Sequence, residues 1–268
     1  MINKPVIGVA AAVAVLAAGA WYYLHSREAS PSAPAAALQP PAAASTAPPE
    51  EPAIQHPLPA SPEGTAANTP LPALADSDAP LMAALSQVIG ASAVRDYLLP
   101  ENIIRHLVVT IDNLPRQKVP VEKRPTSRVA GSFVVDGDEL HATLDPRNFA
   151  RYQPLVAAIG QVDMHRLAAV YVRFYPLFQN AYQDLGYPNG YFNDRLVQAI
   201  DSLLATPQTT GPIELVRPNV MYTYADPAME SRPAGQKLLI RMGPDNTAII
   251  KAKLEELRQA ITAAPPKK

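Results

Sequence analysis

The sequence predicts a mainly α fold with one or two small β-hairpins (α+β): a single globular domain after an N-terminal transmembrane helix and a disordered Pro/Ala-rich linker. Three observations predict it. Pro5 to Leu24 is a run of about twenty residues without a charge, which at about 1.5 Å rise per residue matches the roughly 30 Å hydrocarbon core of a bilayer. Runs such as Pro34-Ala35-Ala36-Ala37 and Pro40-Pro41-Ala42-Ala43-Ala44 follow, with few aromatic or β-branched residues. From Asp76 onward, apolar residues recur at helical spacing.

These shifts divide the chain into an anchor at residues 1–28, a tether at 29–75, a globular domain at 76–263 and a solvated tail at 264–268. Trp21, Tyr22 and Tyr23 stand where an aromatic belt meets headgroups, and Lys4 before the span favours an N-terminus inside and a C-terminus outside. The alternative is a cleaved signal peptide, because Ala18-Gly19-Ala20 resembles a processing site. The apolar run through Leu24 is long for one, and both readings export the rest of the chain. The tether cannot bury enough surface to offset its ordering entropy. As polyproline II it spans at most roughly 140 Å, enough to cross a cell-wall layer.

Within the domain, Asp76–Gly90 reads as a first helix, with Asp or Ser capping, Pro80 in its first turn and Gly90 as its stop. A short helix follows over Ser92–Leu98, then Glu101–Asn113, where Ile104, Leu107, Val108 and Ile111 form one buried face. Phe133–Leu144 reads as a hairpin turning at Asp136-Gly137. Asp145-Pro146 opens a helix toward Gly160 that Pro154 interrupts. Asp163 starts the longest helix, whose stripe is Leu167, Tyr171, Phe174, Phe178, Ala181 and Leu185; Gly186 ends it and Pro176 kinks or breaks it. Asp194–Ala205 is the next helix, stopped by Thr206-Pro207. Ile213–Arg217 and Val220–Tyr224 are short strands separated by Pro218. Helices at Ala234–Met242 and Pro244–Ala263 close the chain, the last with Ile250, Leu254, Leu257 and Ile261 inward.

The absence of cysteine excludes disulfides, thiolate zinc sites and cysteine nucleophiles. A formal net charge of −1 provides no field to recruit nucleic acid. No phosphate loop, dinucleotide fingerprint or nucleophile elbow occurs, so no catalytic residue and no cofactor are assigned. His106, His141 and His165 stand apart without metal-ligand spacing, and no metal site is expected. Arg116, Lys118, Lys123, Arg124 and Arg128 crowd a Pro-broken loop, read as solvated rather than as an anion dock.

The sharpest local feature is the connection Tyr182 to Arg195. Asp184, Tyr187, Asn189, Tyr191, Asp194 and Arg195 gather carboxylates, an amide, a guanidinium and aromatic faces, the groups a glycan-binding groove uses. A structural account also covers it: Gly186 as C-cap, Asn189-Gly190 as turn, Asn193 as cap of the next helix, and Tyr187 and Phe192 tucked into the core. Arg217 and Arg241, beside Tyr222, Tyr224 and Asp226, are the remaining binding candidates, as an anion pocket or as partners of buried acids.

Arg151-Tyr152-Gln153-Pro154-Leu155-Val156, Leu185-Gly186-Tyr187-Pro188 with Phe192 and Arg195-Leu196, Leu203-Leu204-Ala205-Thr206-Pro207, and Arg241-Met242-Gly243-Pro244 are distinctive together. They resemble the bacterial domain-of-unknown-function 3014 family, over residues 76–263. The resemblance implies a Gram-negative envelope protein and brings no activity, substrate or catalytic residue. The expectation is a non-enzymatic, single-pass inner-membrane protein, anchored through residues 5–24, whose periplasmic domain binds an envelope protein or peptidoglycan. Joint replacement of Asp184, Tyr187 and Arg195 is expected to remove binding and leave the thermal transition nearly unchanged. The alternatives are a cell-wall hydrolase using Asp184 or Asp194 as acid or base, and a scaffold facing the cytoplasm.

Overall fold

The computed structural model describes residues 53–59, 70–138 and 141–262. The span read as an anchor lies outside them. Among the described residues no single helix is long and apolar enough to cross a membrane.

Nine α-helices and one four-stranded antiparallel sheet make up the described fold. After a 3-10 turn at Leu74–Asp76 come α1 (Asp78–Ile89), α2 (Ala91–Tyr97) and α3 (Ile103–Asn113). Strands β1 (Val135–Asp136) and β2 (Ala142–Leu144) precede α4 (Arg147–Gly160), α5 (Met164–Asp184) and α6 (Phe192–Leu204). Strands β3 (Glu214–Val216) and β4 (Thr223–Tyr224) are followed by the short α7 (Pro227–Glu230), then α8 (Ala234–Met242) and α9 (Pro244–Thr262).

Helix α9 is central, packing against α4, α5, α6 and α8, while α5 also receives α1 and α3. The stripe predicted for α9 is the one buried: Ile250, Leu254, Leu257 and Ile261 are each at most 3% exposed. On α3 the buried face is Ile104, Leu107, Val108 and Ile111, joined by Asp112. Asp163 caps α5 by accepting from the amides of His165 (2.9 Å) and Arg166 (3.1 Å). The first turn of α3 is capped from outside: the Asp78 carboxylate accepts from Asn102 N (2.7 Å) and Ile103 N (2.9 Å).

Several expectations are corrected. Pro154 does not interrupt α4, and of the two outcomes expected at Pro176 the break does not occur: both helices run through their prolines, because packing on both flanks outweighs the missing amide bond. Leu185 falls just past the end of α5 and is exposed. Helix α6 begins at Phe192, two residues before the expected Asp194, and its N-cap is Tyr191 rather than Asn193.

The two hairpins form one sheet in the order β1-β2-β3-β4, because Ala142 pairs with Leu215 and Thr143 with Glu214 across the gap between them. Ala142, Leu144, Ile213, Leu215 and Tyr224, with Ile240 of α8, form a small second core beneath the sheet. Residues 53–59 and 70–75 fall inside the stretch read as tether, yet they lie against the domain. Leu58, Leu71 and Leu74 pack on the main core.

Candidate functional site

The connection between α5 and α6 turns twice in seven residues. Gly186 takes φ +112°, a left-handed conformation that favours glycine, directly after α5. Tyr187-Pro188-Asn189-Gly190 then closes a turn through Gly190 N to Tyr187 O (3.0 Å). Gly190 is required by space: a Cβ there would lie 2.7 Å from Tyr182 Cε1 and 3.0 Å from Tyr187 Cβ. The rings of Tyr182 and Tyr187 stack at 4.5 Å over it.

Gln179, one turn before the end of α5, fixes the second half of the connection. Its amide donates to Gly190 O (2.7 Å), and its carbonyl oxygen accepts from Phe192 N (2.9 Å) and the Tyr175 hydroxyl (2.8 Å). Burial pushes the Tyr171 and Tyr175 hydroxyls up in pKa, so both stay protonated and serve as donors. Tyr171 donates to Asn193 Oδ1 (3.1 Å) and orients that side chain.

The predicted site residues separate into three groups. Arg195, Tyr187 and Arg116 converge on Asp112 of α3, whose side chain is 5% exposed. Arg195 Nε donates to Asp112 Oδ1 (2.9 Å), and its Nη2 donates to the Asp112 main-chain oxygen. Arg116 Nη2 donates to Asp112 Oδ2 (2.9 Å) and to the Tyr187 hydroxyl (2.6 Å), which donates to the same carboxylate (3.4 Å). This knot ties α3 to α6 and to the turn. Arg195 and Tyr187 are therefore structural partners, and their replacement will not leave the thermal transition unchanged. Asp184 stands apart at the end of α5, paired with the exposed Arg105 (2.9 Å), and Asn189 is exposed at the turn.

Tyr191 and Asp194 form the second group, at the N-terminus of α6, and with Asn193 between them they hold a piece of the chain itself. Asp194 Oδ2 accepts from Gln55 N (3.0 Å) and Oδ1 from His56 N (2.6 Å). Asn193 Nδ2 donates to His56 O (2.8 Å) and to Ile261 O (3.2 Å) at the end of α9. The Tyr191 hydroxyl accepts from Leu58 N (3.2 Å). The two carboxylates named for acid–base chemistry, Asp184 and Asp194, thus serve different partners.

Arg217 and Arg241 belong to the small sheet. Arg241 is 6% exposed, with its guanidinium carbon 5.3 Å from the Tyr224 ring centre and 5.7 Å from that of Phe133. Arg217 lies over Tyr222 (5.6 Å) and donates to Val220 O (3.2 Å). Among the described residues, no three His, Asp or Glu side chains gather as a metal site requires.

Sequence reasoning missed two parts of this arrangement. Asp112 continues the Ile104–Val108 row of α3 at four-residue spacing, and an acid on an apolar row is a signal that was available. Residues 53–59 carried none, because their composition matches the surrounding Pro/Ala-rich sequence. Residues 103–258 match the model of the family described as "Protein of unknown function (DUF3014)". Neither the curated proteins nor the solved structures yield a match.

Proposed function

The chain belongs to that family, and from this premise we propose that it is a binding module of the cell envelope. In this reading residues 5–24 anchor it in the inner membrane and the α-rich domain faces the periplasm, where it binds an envelope protein or peptidoglycan without catalysing a reaction. The observation that carries it is the presentation of Tyr191, Asn193 and Asp194 together at the N-terminus of α6, each bonded to the main chain of residues 55–58. Groups spent on holding a polymer backbone are suited to binding. Acid–base work instead needs a carboxyl free to exchange protons with a substrate.

The test has two parts. A reporter fused at the C-terminus and active only outside the cytoplasm reads the topology; activity is expected, and its absence overturns the periplasmic placement. The purified full chain in detergent is then sedimented with cell-wall sacculi and cross-linked in whole cells. Retention on sacculi or a discrete cross-linked envelope protein is expected, without release of soluble wall fragments. Fragment release, or neither retention nor a cross-link, overturns the reading.

A further inference from the structure

The contacts made by residues 55–58 have an unusual division of labour. All four hydrogen bonds between the segment and Tyr191, Asn193 and Asp194 use its main chain: the amides of Gln55, His56 and Leu58 donate and the carbonyl of His56 accepts. The residue between the bonded amides is Pro57, which has no amide to satisfy. Leu58 is the side chain that reaches the main core, while Ile54 remains 54% exposed. The segment thus turns its main chain to α6 and seats one apolar side chain, Leu58, as its anchor.

The receiving groups are held independently of the segment. Asn193 is oriented by Tyr171 and Ile261 O, and the stretch 190–192 is fixed by Gln179. The Tyr191 ring packs 5.5 Å from that of Tyr175. Asp194 sits in the first turn of α6, where the helix dipole stabilises a carboxylate. The seat is thus preorganised.

The chain also carries the anchoring tripeptide twice. Pro57-Leu58-Pro59 recurs thirteen residues later as Pro70-Leu71-Pro72, and Leu71 packs on the same core as Leu58. Proline on both sides of the leucine limits the backbone to extended conformations, which lowers the entropy lost on docking.

We propose that Tyr191, Asn193 and Asp194 form a peptide-binding site that reads main chain, filled here by the chain's own residues 55–58, and that its ligand in trans is a segment of another protein that ends in Pro-Leu-Pro and bends at the two residues before it. Two successive amides meet Asp194, proline follows where no donor is needed, and the leucine supplies the apolar anchor. The partner displaces the chain's own segment. The proposal rests on the binding reading above only in taking the partner to be a protein.

The experiment titrates a fluorescent peptide of residues 52–60 into the full-length chain in detergent, read by anisotropy. Five proteins are compared: wild type, Leu58→Asp, a chain with residues 53–59 replaced by Gly/Ser, and each of these two segment variants combined with Asp194→Asn. Thermal unfolding by circular dichroism establishes which segment variant is folded. The folded segment variant is expected to bind the peptide about tenfold more tightly than wild type, whose own segment competes, and Asp194→Asn is expected to weaken that binding about tenfold. A peptide carrying aspartate in place of Leu58 is expected not to bind. Peptide binding no tighter in the folded segment variant than in wild type overturns the proposal, as does indifference to Asp194→Asn. A wild-type dimer that Leu58→Asp dissolves in sedimentation overturns the partner assignment in favour of segment exchange between copies. Peptide binding by a chain that neither sacculi nor envelope proteins retain keeps this site and removes the envelope reading. Envelope retention that survives Asp194→Asn in a chain blind to the peptide does the reverse.

Discussion

Removing the Asp112 carboxylate tests the knot that joins α3, α6 and the connection. Its side chain is 5% exposed and accepts from Arg195, Arg116 and Tyr187. Arg116 is 49% exposed, so its pair with Asp112 is solvent-screened and contributes about 0–1 kcal/mol. Arg195 is 14% exposed, and breaking a buried pair on one side costs about 3–5 kcal/mol because the remaining charge is left without its counterion. Arg195 keeps its bonds to the Asp112 main-chain oxygen and to Gln198, which places Asp112→Ala near the lower end, about 3 kcal/mol. In a domain of this size that lowers the melting temperature by about 6–12 °C. Urea unfolding followed by circular dichroism should show a lower midpoint with an unchanged slope. Arg116→Ala should cost about 1 kcal/mol or less, and the Asp112→Ala/Arg195→Ala pair should be strongly non-additive. An Asp112→Ala loss no larger than that of Arg116→Ala would refute the reasoning.

Gly190→Ala places a methyl within 2.7 Å of Tyr182 Cε1 and should cost about 1–3 kcal/mol in urea unfolding; a neutral result would show that the stacked rings can part. Asp78→Ala removes the acceptor for two amides of the α3 first turn and should cost about 1–2 kcal/mol, with faster amide exchange at Asn102 and Ile103 as its local signature. Burial, followed by the nearby Lys123, lowers the pKa of His106. The unfolded chain therefore binds the proton more readily, and stability should fall as pH drops below about 6.5. The urea midpoint should decline from pH 7.5 to 5.5 in wild type and decline less in His106→Gln; parallel slopes would contradict this.

Helices whose burial follows a fixed period were legible in the sequence: the α9 stripe and the α3 face are set by residues three and four apart, and Asp163 announces its own helix. The small sheet was half legible. Each hairpin has local turn chemistry, but the pairing of Thr143 with Glu214 depends on how α4 to α6 return the chain, which no local window records. The same limit applies to the candidate site. The connection 182–195 was identified by its residue types, whereas its division between Asp112 and residues 55–58 depends on partners 75 to 139 positions away. Arg241 attracted notice as a charge, and the fold uses it as a flat group between aromatic rings.

The four-stranded sheet has a consequence for the order in which the chain folds. Its inner pairing joins Thr143 to Glu214, 71 positions apart, and the intervening chain forms three of the main helices. Closing so long a loop for a few ladder bonds is entropically unfavourable until those helices have packed and shortened the effective distance. The β1-β2 and β3-β4 hairpins are each too small to persist alone. The sheet is therefore the last element to assemble and the first to open. Ile240 of α8, which packs against Leu215 and Tyr224 on the sheet's inner face, marks where partial unfolding would begin.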